Sequence, residues 1–361
     1  MEVKQIFVPG RLCLFGEHSD TLAATMFNHD KLTIGHTIAM PLRSVGITAN
    51  VKDNNEGKLI ITNNKLGDFS CELSIPHLDN YIKYSDTFSY IAGTSKHMMS
   101  VINDAKGISS FINGAKGVSI NIESNTLPIG VGLSSSAAIC TLIVKAFDYV
   151  YNLNLSTDQI MYHAWYGEHT YTSSKCGRLD QICGYDGGMV HMIHQSDSLQ
   201  IDDISIKKPL HFIIIIDNTV YKDTSKILQD LQAVFLPHSN HRTKKYTKMF
   251  FFDYNEMVID KAIKYMYDGN ISGLGELMTM TQLGYNAIAS DYIHSLNDSH
   301  LEGIFKYISN KVYGYKGLGS HGGTSAIALC YDELNRDFLL RSLRDKYPDK
   351  LFIPVDVPEQ L

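Results

Sequence analysis

The chain has 361 residues, 44% of them hydrophobic and 19% charged, with a formal net charge of −6. That length suits two lobes and a large core without disulfide or metal staples, and the mild acidity leaves no basic footprint for nucleic acid or membrane. The longest aliphatic run, Phe212 to Ile216, is far too short to span a bilayer. The six cysteines (Cys13, Cys71, Cys140, Cys176, Cys183 and Cys330) are scattered with no Cys-x-x-Cys pair and read as reduced core thiols. Met1 to Gln5 shows no charged-then-apolar export pattern, so a cytoplasmic protein is expected.

In chain order, Val3–Phe15 reads as a strand, followed by strands over 37–51, 58–62 and 69–75. A helix is expected over 87–102 and a strand over 117–123, where Val118, Ile120 and Ile122 alternate. Residues 134–151 contain no Pro or Gly and read as a buried helix. A second helix is expected over 157–170, with Ser156 or Thr157 as its cap. A hairpin over 188–194 and 199–206 follows. After Lys207-Lys208-Pro209 the pattern becomes a short apolar strand (211–216), helices near 223–235, 243–268, 271–289 and 297–310, and a glycine-rich turn. A strand at 326–330, a helix near 332–345 and a strand near 351–355 complete the chain. The shift divides it into an N-terminal lobe, 1–207, and a C-terminal lobe, 208–361.

Two segments concentrate chemistry. Pro128-Ile129-Gly130-Val131-Gly132-Leu133-Ser134-Ser135-Ser136-Ala137-Ala138 opens a helix. Its glycines permit tight turning and close approach of backbone to a ligand, and the serines fall where free N–H groups and the helix dipole favour phosphate. Serine hydroxyls also suit the oxygen-rich shell of Mg²⁺. Capping the helix would need one serine, not three. No Lys-Ser/Thr pair follows as in a Walker loop, and the spacing is not that of a dinucleotide fingerprint. The other segment, Pro9-Gly10-Arg11-Leu12-Cys13-Leu14-Phe15-Gly16-Glu17-His18-Ser19-Asp20, places Arg11, Glu17, His18 and Asp20 around a glycine. Carboxylates and imidazole accept from and donate to several hydroxyls at once, and an arginine stabilises charge on a transferring phosphoryl group.

The first of these segments resembles the GHMP kinases, whose middle motif, Pro-x-x-x-Gly-Leu-Ser-Ser-Ser-Ala, stands here from Pro128 to Ala137. The resemblance implies an α+β, two-lobed GHMP kinase fold. Its N-terminal lobe would be like the second domain of ribosomal protein S5, and its C-terminal lobe ferredoxin-like. It also implies that Pro128, Gly130, Gly132, Leu133, Ser134, Ser135, Ser136 and Ala137 bind ATP, with Ser136 on Mg²⁺. The opening motif is similar to the galactokinase form, Pro-Gly-Arg-x-x-x-x-Gly-Glu-His-Thr-Asp. By that similarity Glu17, His18 and Asp20 contact sugar hydroxyls and Arg11 is catalytic.

The family pattern further places a Mg²⁺-binding carboxylate at Glu168 and a catalytic one at Asp180, twelve residues later. Asp180 would orient the attacking hydroxyl and take its proton, kept ionised by Arg11. A third family motif matches loosely the glycine turn Gly314–Thr324, where Gly319 and His321 become candidate substrate contacts. Thr21–Leu32 is longer than the galactokinase stretch and carries Asn28-His29-Asp30, so a remodelled sugar pocket is expected.

The reading is therefore an ATP- and Mg²⁺-dependent kinase, monomer or homodimer. It would phosphorylate a hydroxyl, expected to be the anomeric one, of a galactose-like monosaccharide or derivative. A kinase for a non-sugar alcohol such as mevalonate is the alternative, opposed by Arg11 and Asp20. A non-catalytic sugar sensor is another, opposed by Ser134–Ser136, Glu168 and Asp180.

Overall fold

In the computed structural model, the described residues are 2–26, 34–63, 67–84, 88–106, 116–172, 174, 176–195, 198–220, 222–236 and 238–360. The elements run β1 (Lys4–Phe15), α1 (Ser19–Met26), β2 (Gly35–Asn54), β3 (Lys58–Asn63), β4 (Phe69–Glu72), α2 (Ile75–Tyr84), α3 (Ser89–Lys106), β5 (Gly117–Asn125), α4 (Ser135–Tyr151) and α5 (Thr157–Tyr171). They continue as β6 (Val190–His194), β7 (Leu199–Asp203), β8 (Leu210–Ile216), α6 (Thr224–Ala233), α7 (His241–Lys248), α8 (Asn255–Asp268) and α9 (Ile271–Asp291). The last are α10 (Glu302–Ile308), β9 (Gly314–Gly317), β10 (Ser325–Leu329), α11 (Glu333–Lys346) and β11 (Leu351–Val357). The result is the α+β class expected from the sequence.

Contacts divide the chain into two compact units, 1–11 with 41–128 and 134–186, and 12–40 with 129–133 and 187–361. In the first unit β5 lies between β2 and β3. It is antiparallel to β2 and parallel to β3, and β4 pairs along β3. Val118, Ile120 and Ile122 are buried, as their alternation requires. Helices α3, α4 and α5 pack on one another. The first turn of α4 carries Ala137 and Ala138, both fully buried. Ser156 caps α5 in a reciprocal capping box with Gln159, an arrangement that stabilises a helix start by about 1 kcal/mol. On α5, a Cβ at Gly167 would stand 2.7 Å from the Thr94 Cα. Glycine there lets α5 close on α3 and seats the next residue, Glu168, in the interior.

In the second unit, residues 35–39 of β2 pair with β6, and β6 with β7. Four antiparallel strands form a separate sheet in the order β11-β8-β10-β9, the arrangement of a ferredoxin-like lobe. Ile213 to Ile216 on β8 are fully buried between two neighbouring strands, each contributing about 2 kcal/mol of apolar burial.

Several local expectations differ from the structure. The strand at 69–75 stops at Glu72, because Pro76 suits the first turn of a helix, and α2 begins at Ile75. The helix expected over 243–268 is two helices joined by a π-helical turn at Met249–Tyr254. Part of the glycine-rich turn is the strand β9. The stretch after Asp20 opens as α1, while its residues 27–32, with Asn28, His29 and Asp30, lie outside the described residues. All six cysteines are buried and none is in a disulfide. Among the described residues no helix is long and apolar enough to cross a membrane.

Candidate active site

Five described non-glycine residues adopt a positive φ: Asn152, Asn154, His18, Ser134 and His321. Asparagine tolerates that conformation; the other types rarely do, and strain of this kind gathers at functional positions. All three of the others were singled out by the sequence.

In the first unit the helix-opening serines do not behave as caps. Ser134, at φ 62°, makes no side-chain cap bond to α4, and its hydroxyl is buried without a partner. The hydroxyl of Ser136 instead reaches Glu168. Glu168 is 1% exposed and also accepts from Gln181 Nε2 at 3.0 Å. Burial, with the charge of Asp180 added, pushes the Glu168 carboxyl up to about 8 against the lowering effect of those two bonds. Among the described residues no cation is one of its charged neighbours.

Asp180 begins a 3₁₀ turn, Asp180–Gly184, that packs on α4 and α5. Its Oδ1 accepts from Arg11 Nε at 3.0 Å and from Nη2 in an ion pair. With both bonds on Oδ1, Oδ2 remains to accept from a ligand. The sequence-selected Arg11, Ser136, Glu168 and Asp180 therefore form one cluster.

That cluster fits Mg²⁺. Glu168 is a buried hard oxygen donor without a counter-charge among the described residues, and Ser136 and Asp180 add oxygens. Among the described residues no group of three or more His, Cys, Asp or Glu forms a closed metal cage. A partial protein set suits Mg²⁺, whose shell is completed by phosphate oxygens and water.

In the second unit, Gly130 and Gly132 hold φ of 75° and 77°. A Cβ on Gly132 would meet the Gly319 Cα at 3.0 Å, and one on Gly319 would meet the Gly132 Cα at 2.6 Å. The late glycine turn thus lies directly against the early one, and Ser325 Oγ holds it by donating to the Val131 carbonyl at 2.7 Å. Glu17, His18 and Asp20 are all buried, at 2%, 5% and 7% exposure. The His18 ring meets Phe251 edge-on at 5.9 Å and lies 6.5 Å from the His321 ring. His321 is buried, stacks on Tyr285 at 3.5 Å, and shares Nδ1 with Asp298 Oδ2 at 2.6 Å. Burial opposes ionisation of Asp298. The charge and hydrogen bond of His321, with bonds from Gln282 and the Gly323 N–H, outweigh it and lower the Asp298 pKa.

Residues 90–188 match the family described as the GHMP kinases N terminal domain. A GHMP kinase N-terminal domain is thus present over those residues. The chain's fold is that of mevalonate kinase from Methanococcus jannaschii (21% identity, 99% of each chain covered, TM-score 0.73). Galactokinase from Lactococcus lactis, solved with galactose, is also similar (18% identity, 99% of this chain and 94% of that one, TM-score 0.69). So is a D-glycero-D-manno-heptose 1-phosphate kinase from Bacteroides thetaiotaomicron (13% identity, 99% and 97% covered, TM-score 0.64). Proteins named for different acceptors share this fold, so the fold leaves the acceptor open.

Sequence reasoning missed four side chains that hold these clusters together. Lys316, fully buried on β9, forms an ion pair with Glu17. Tyr285 donates its hydroxyl to the Glu17 carbonyl at 3.1 Å. Asp298 and Gln282 anchor the turn around His321. Lys316 alone carried a signal, as a charged residue between Tyr315 and Gly317 just before an apolar strand. The others reach their partners only through the tertiary fold.

Proposed function

We propose that this protein transfers the γ-phosphoryl group of ATP to a hydroxyl, the anomeric one in the simplest case, of a galactose-like monosaccharide or derivative. The observation that carries the reading is the Arg11–Asp180 ion pair beside a buried Glu168 with no counter-charge among the described residues. Residues 1–207 are taken as the lobe with the ATP phosphate loop and 208–361 as the other.

In this reading Asp180 Oδ2 accepts the hydrogen bond of the attacking hydroxyl and receives its proton as the oxygen–phosphorus bond forms and ADP leaves. Arg11 fixes the carboxylate by occupying Oδ1, so orientation accounts for much of its effect. The backbone from Gly130 to Ser136 faces the phosphates. Ser136 and Glu168 would hold Mg²⁺, which would supply neutralisation of phosphate charge. Glu17, His18 and Asp20, with His321 and Gly319, take the sugar.

Mevalonate or a related non-sugar alcohol is the competing acceptor, on the similarity to mevalonate kinase. The test is an ADP-release screen over hexoses, hexuronates, amino sugars and mevalonate, with Asp180→Ala as control. Turnover of a hexose or its derivative, abolished in the control, supports the reading. Turnover of mevalonate alone contradicts it, and sugar binding without ADP release indicates a sensor.

A further inference from the structure

Helix α5 carries two stripes of side chains, and both lead to the Glu168–Asp180 cluster. Met161, Ala164 and Glu168 share one stripe and are buried. Tyr162, Trp165 and His169 repeat the same spacing one residue later and stay at least partly exposed. This outer stripe closes on residues 176–178, the stretch of chain that enters the Asp180 turn. The Cys176 carbonyl accepts from His169 Nδ1 at 2.8 Å and from Trp165 Nε1 at 3.4 Å. The Trp165 and His169 rings stack at 5.1 Å. The Arg178 guanidinium lies over the Trp165 ring, 4.2 Å from its centroid, and 5.7 Å from that of Tyr162. The gripped stretch is close to both carboxylates, since the charges of Glu168 and Asp180 add to burial in raising the Cys176 thiol pKa.

We propose that Trp165, His169 and Arg178 form a clamp that sets the Asp180 turn against Glu168, which makes them positioning residues for phosphoryl transfer. The inference rests on the kinase reading in taking Asp180 as the acceptor of the hydroxyl proton.

Glu168 is placed by the backbone of α5, three residues after Trp165. Asp180 stands on a short 3₁₀ turn closed by two bonds, Ile182 N–H to the Leu179 carbonyl at 3.2 Å and Tyr185 N–H to the Ile182 carbonyl at 2.9 Å. Turns of that kind are poorly held by their own hydrogen bonds, so the position of Asp180 depends on how the chain is delivered to it. The clamp delivers it relative to the helix that carries Glu168. Its hydrogen bonds are insensitive to the charge of His169, because a carbonyl only accepts and Nδ1 carries a hydrogen in either case. Its stack is a planar guanidinium on an indole face, the most favourable pairing of this type. Phosphoryl transfer is mostly positioning, and a misplacement of about 1 Å can cost about 10²-fold.

The test uses the full chain with ATP, Mg²⁺ and whichever of D-galactose, D-galacturonate, D-galactosamine and mevalonate is turned over fastest. Kinetics and amide hydrogen exchange are measured for Trp165→Leu, Trp165→Phe, Arg178→Met and the double variant Trp165→Leu/Arg178→Met. Trp165→Leu and Arg178→Met are each expected to lower kcat by about tenfold, with the KM for ATP within about threefold. Each is also expected to speed exchange of the Ile182 and Tyr185 amides by about tenfold. The double variant is expected within about threefold of the slower single one, because both substitutions break the same contact. Trp165→Phe keeps a ring under the guanidinium and is expected within about threefold of wild type. Arg178→Met, at a partly exposed position, carries the same expectations should Trp165→Leu not fold.

Unchanged kcat, or unchanged exchange at the two amides, overturns the inference and leaves the kinase reading intact. So do losses that multiply in the double variant, which would mean that Arg178 acts without Trp165. Absence of turnover by wild type with all four compounds removes the kinase reading. Exchange at Ile182 and Tyr185 then decides the clamp by itself, faster in both single variants if it holds the turn and unchanged if it does not.

Discussion

Glu168 and Glu17 are both buried carboxylates, 1% and 2% exposed, but among the described residues only Glu17 has a cation beside it. Around Glu168 the neighbours are a hydroxyl, an amide and the like charge of Asp180, and its carboxyl rises to about 8. Around Glu17 the ammonium of Lys316 is already in place, tied into a network that ends on His321. A carboxylate left without a counter-charge gains most from a cation that arrives with the ligand. One neutralised in advance gains little from a cation and serves as a fixed acceptor. On the proposed function, the contrast suits the first cluster to metal and phosphate and the second to hydroxyls.

The strongest way to break that assignment is at Asp180. Asp180→Asn keeps the shape and removes the proton acceptor, so kcat is expected to fall by about 10²–10⁴-fold with binding of an ATP analogue unchanged. A variant within about tenfold of wild type excludes Asp180 as the acceptor.

Next is Glu168→Gln. Its Mg²⁺ concentration for half-maximal activity is expected to rise by about 10–100-fold. Metal-free thermal stability should be equal to or above that of wild type, because an uncompensated carboxylate is removed. An unchanged Mg²⁺ requirement assigns the metal elsewhere.

How far these clusters are legible in sequence follows from how local they are. The Gly/Ser loop and the Glu168–Asp180 spacing are short-range patterns, and the structure joins their residues as Ser136–Glu168 and Glu168–Gln181 contacts. Lys316 meets Glu17 across 299 positions, and Asp298 meets His321 from a turn with no distinctive composition. Neither pairing leaves a periodic signal. The strand β9 was hidden because glycines read as a turn; its pairing with β10 sets Lys316 opposite Ile327. The π-helical turn at Met249–Tyr254 interrupts a helix in a run of aromatics that gives no break signal. Fold class was easier to read, since long strands and helices announce themselves by period.

The glycine turns offer a finer comparison. Gly130 and Gly132 share the left-handed φ, yet a Cβ on Gly130 meets open space and one on Gly132 meets Gly319 at 3.0 Å. Gly130→Ala is expected to cost about 1–2 kcal/mol of stability, the backbone strain alone. Gly132→Ala should cost more and weaken ATP-analogue binding, as read by thermal unfolding with and without the analogue. Equal effects would mean that the contact with Gly319 has no role.

The smallest effect isolates burial without carboxylates. Burial, then the charge of His163, lowers the His97 pKa to about 4. Between about pH 4 and 6.5 the unfolded chain binds a proton that the folded one does not, so this contribution grows as pH rises and is lost as pH falls through that window. At pH 6 the loss is below about 1 kcal/mol. His97→Asn is expected to flatten the stability profile there, and an unchanged slope contradicts the assignment.

The central claim, that the Arg11–Asp180 pair and the Glu168 cluster perform phosphoryl transfer to a polyol, is tested most directly by ³¹P NMR of ATP, Mg²⁺ and the best-bound hexose. Wild type is expected to convert the γ-phosphorus signal into that of a sugar phosphate ester with matching ADP, and Asp180→Asn to leave it unchanged. An unchanged ATP spectrum with hexose bound to wild type, or ester formation at the wild-type rate by Asp180→Asn, contradicts the account.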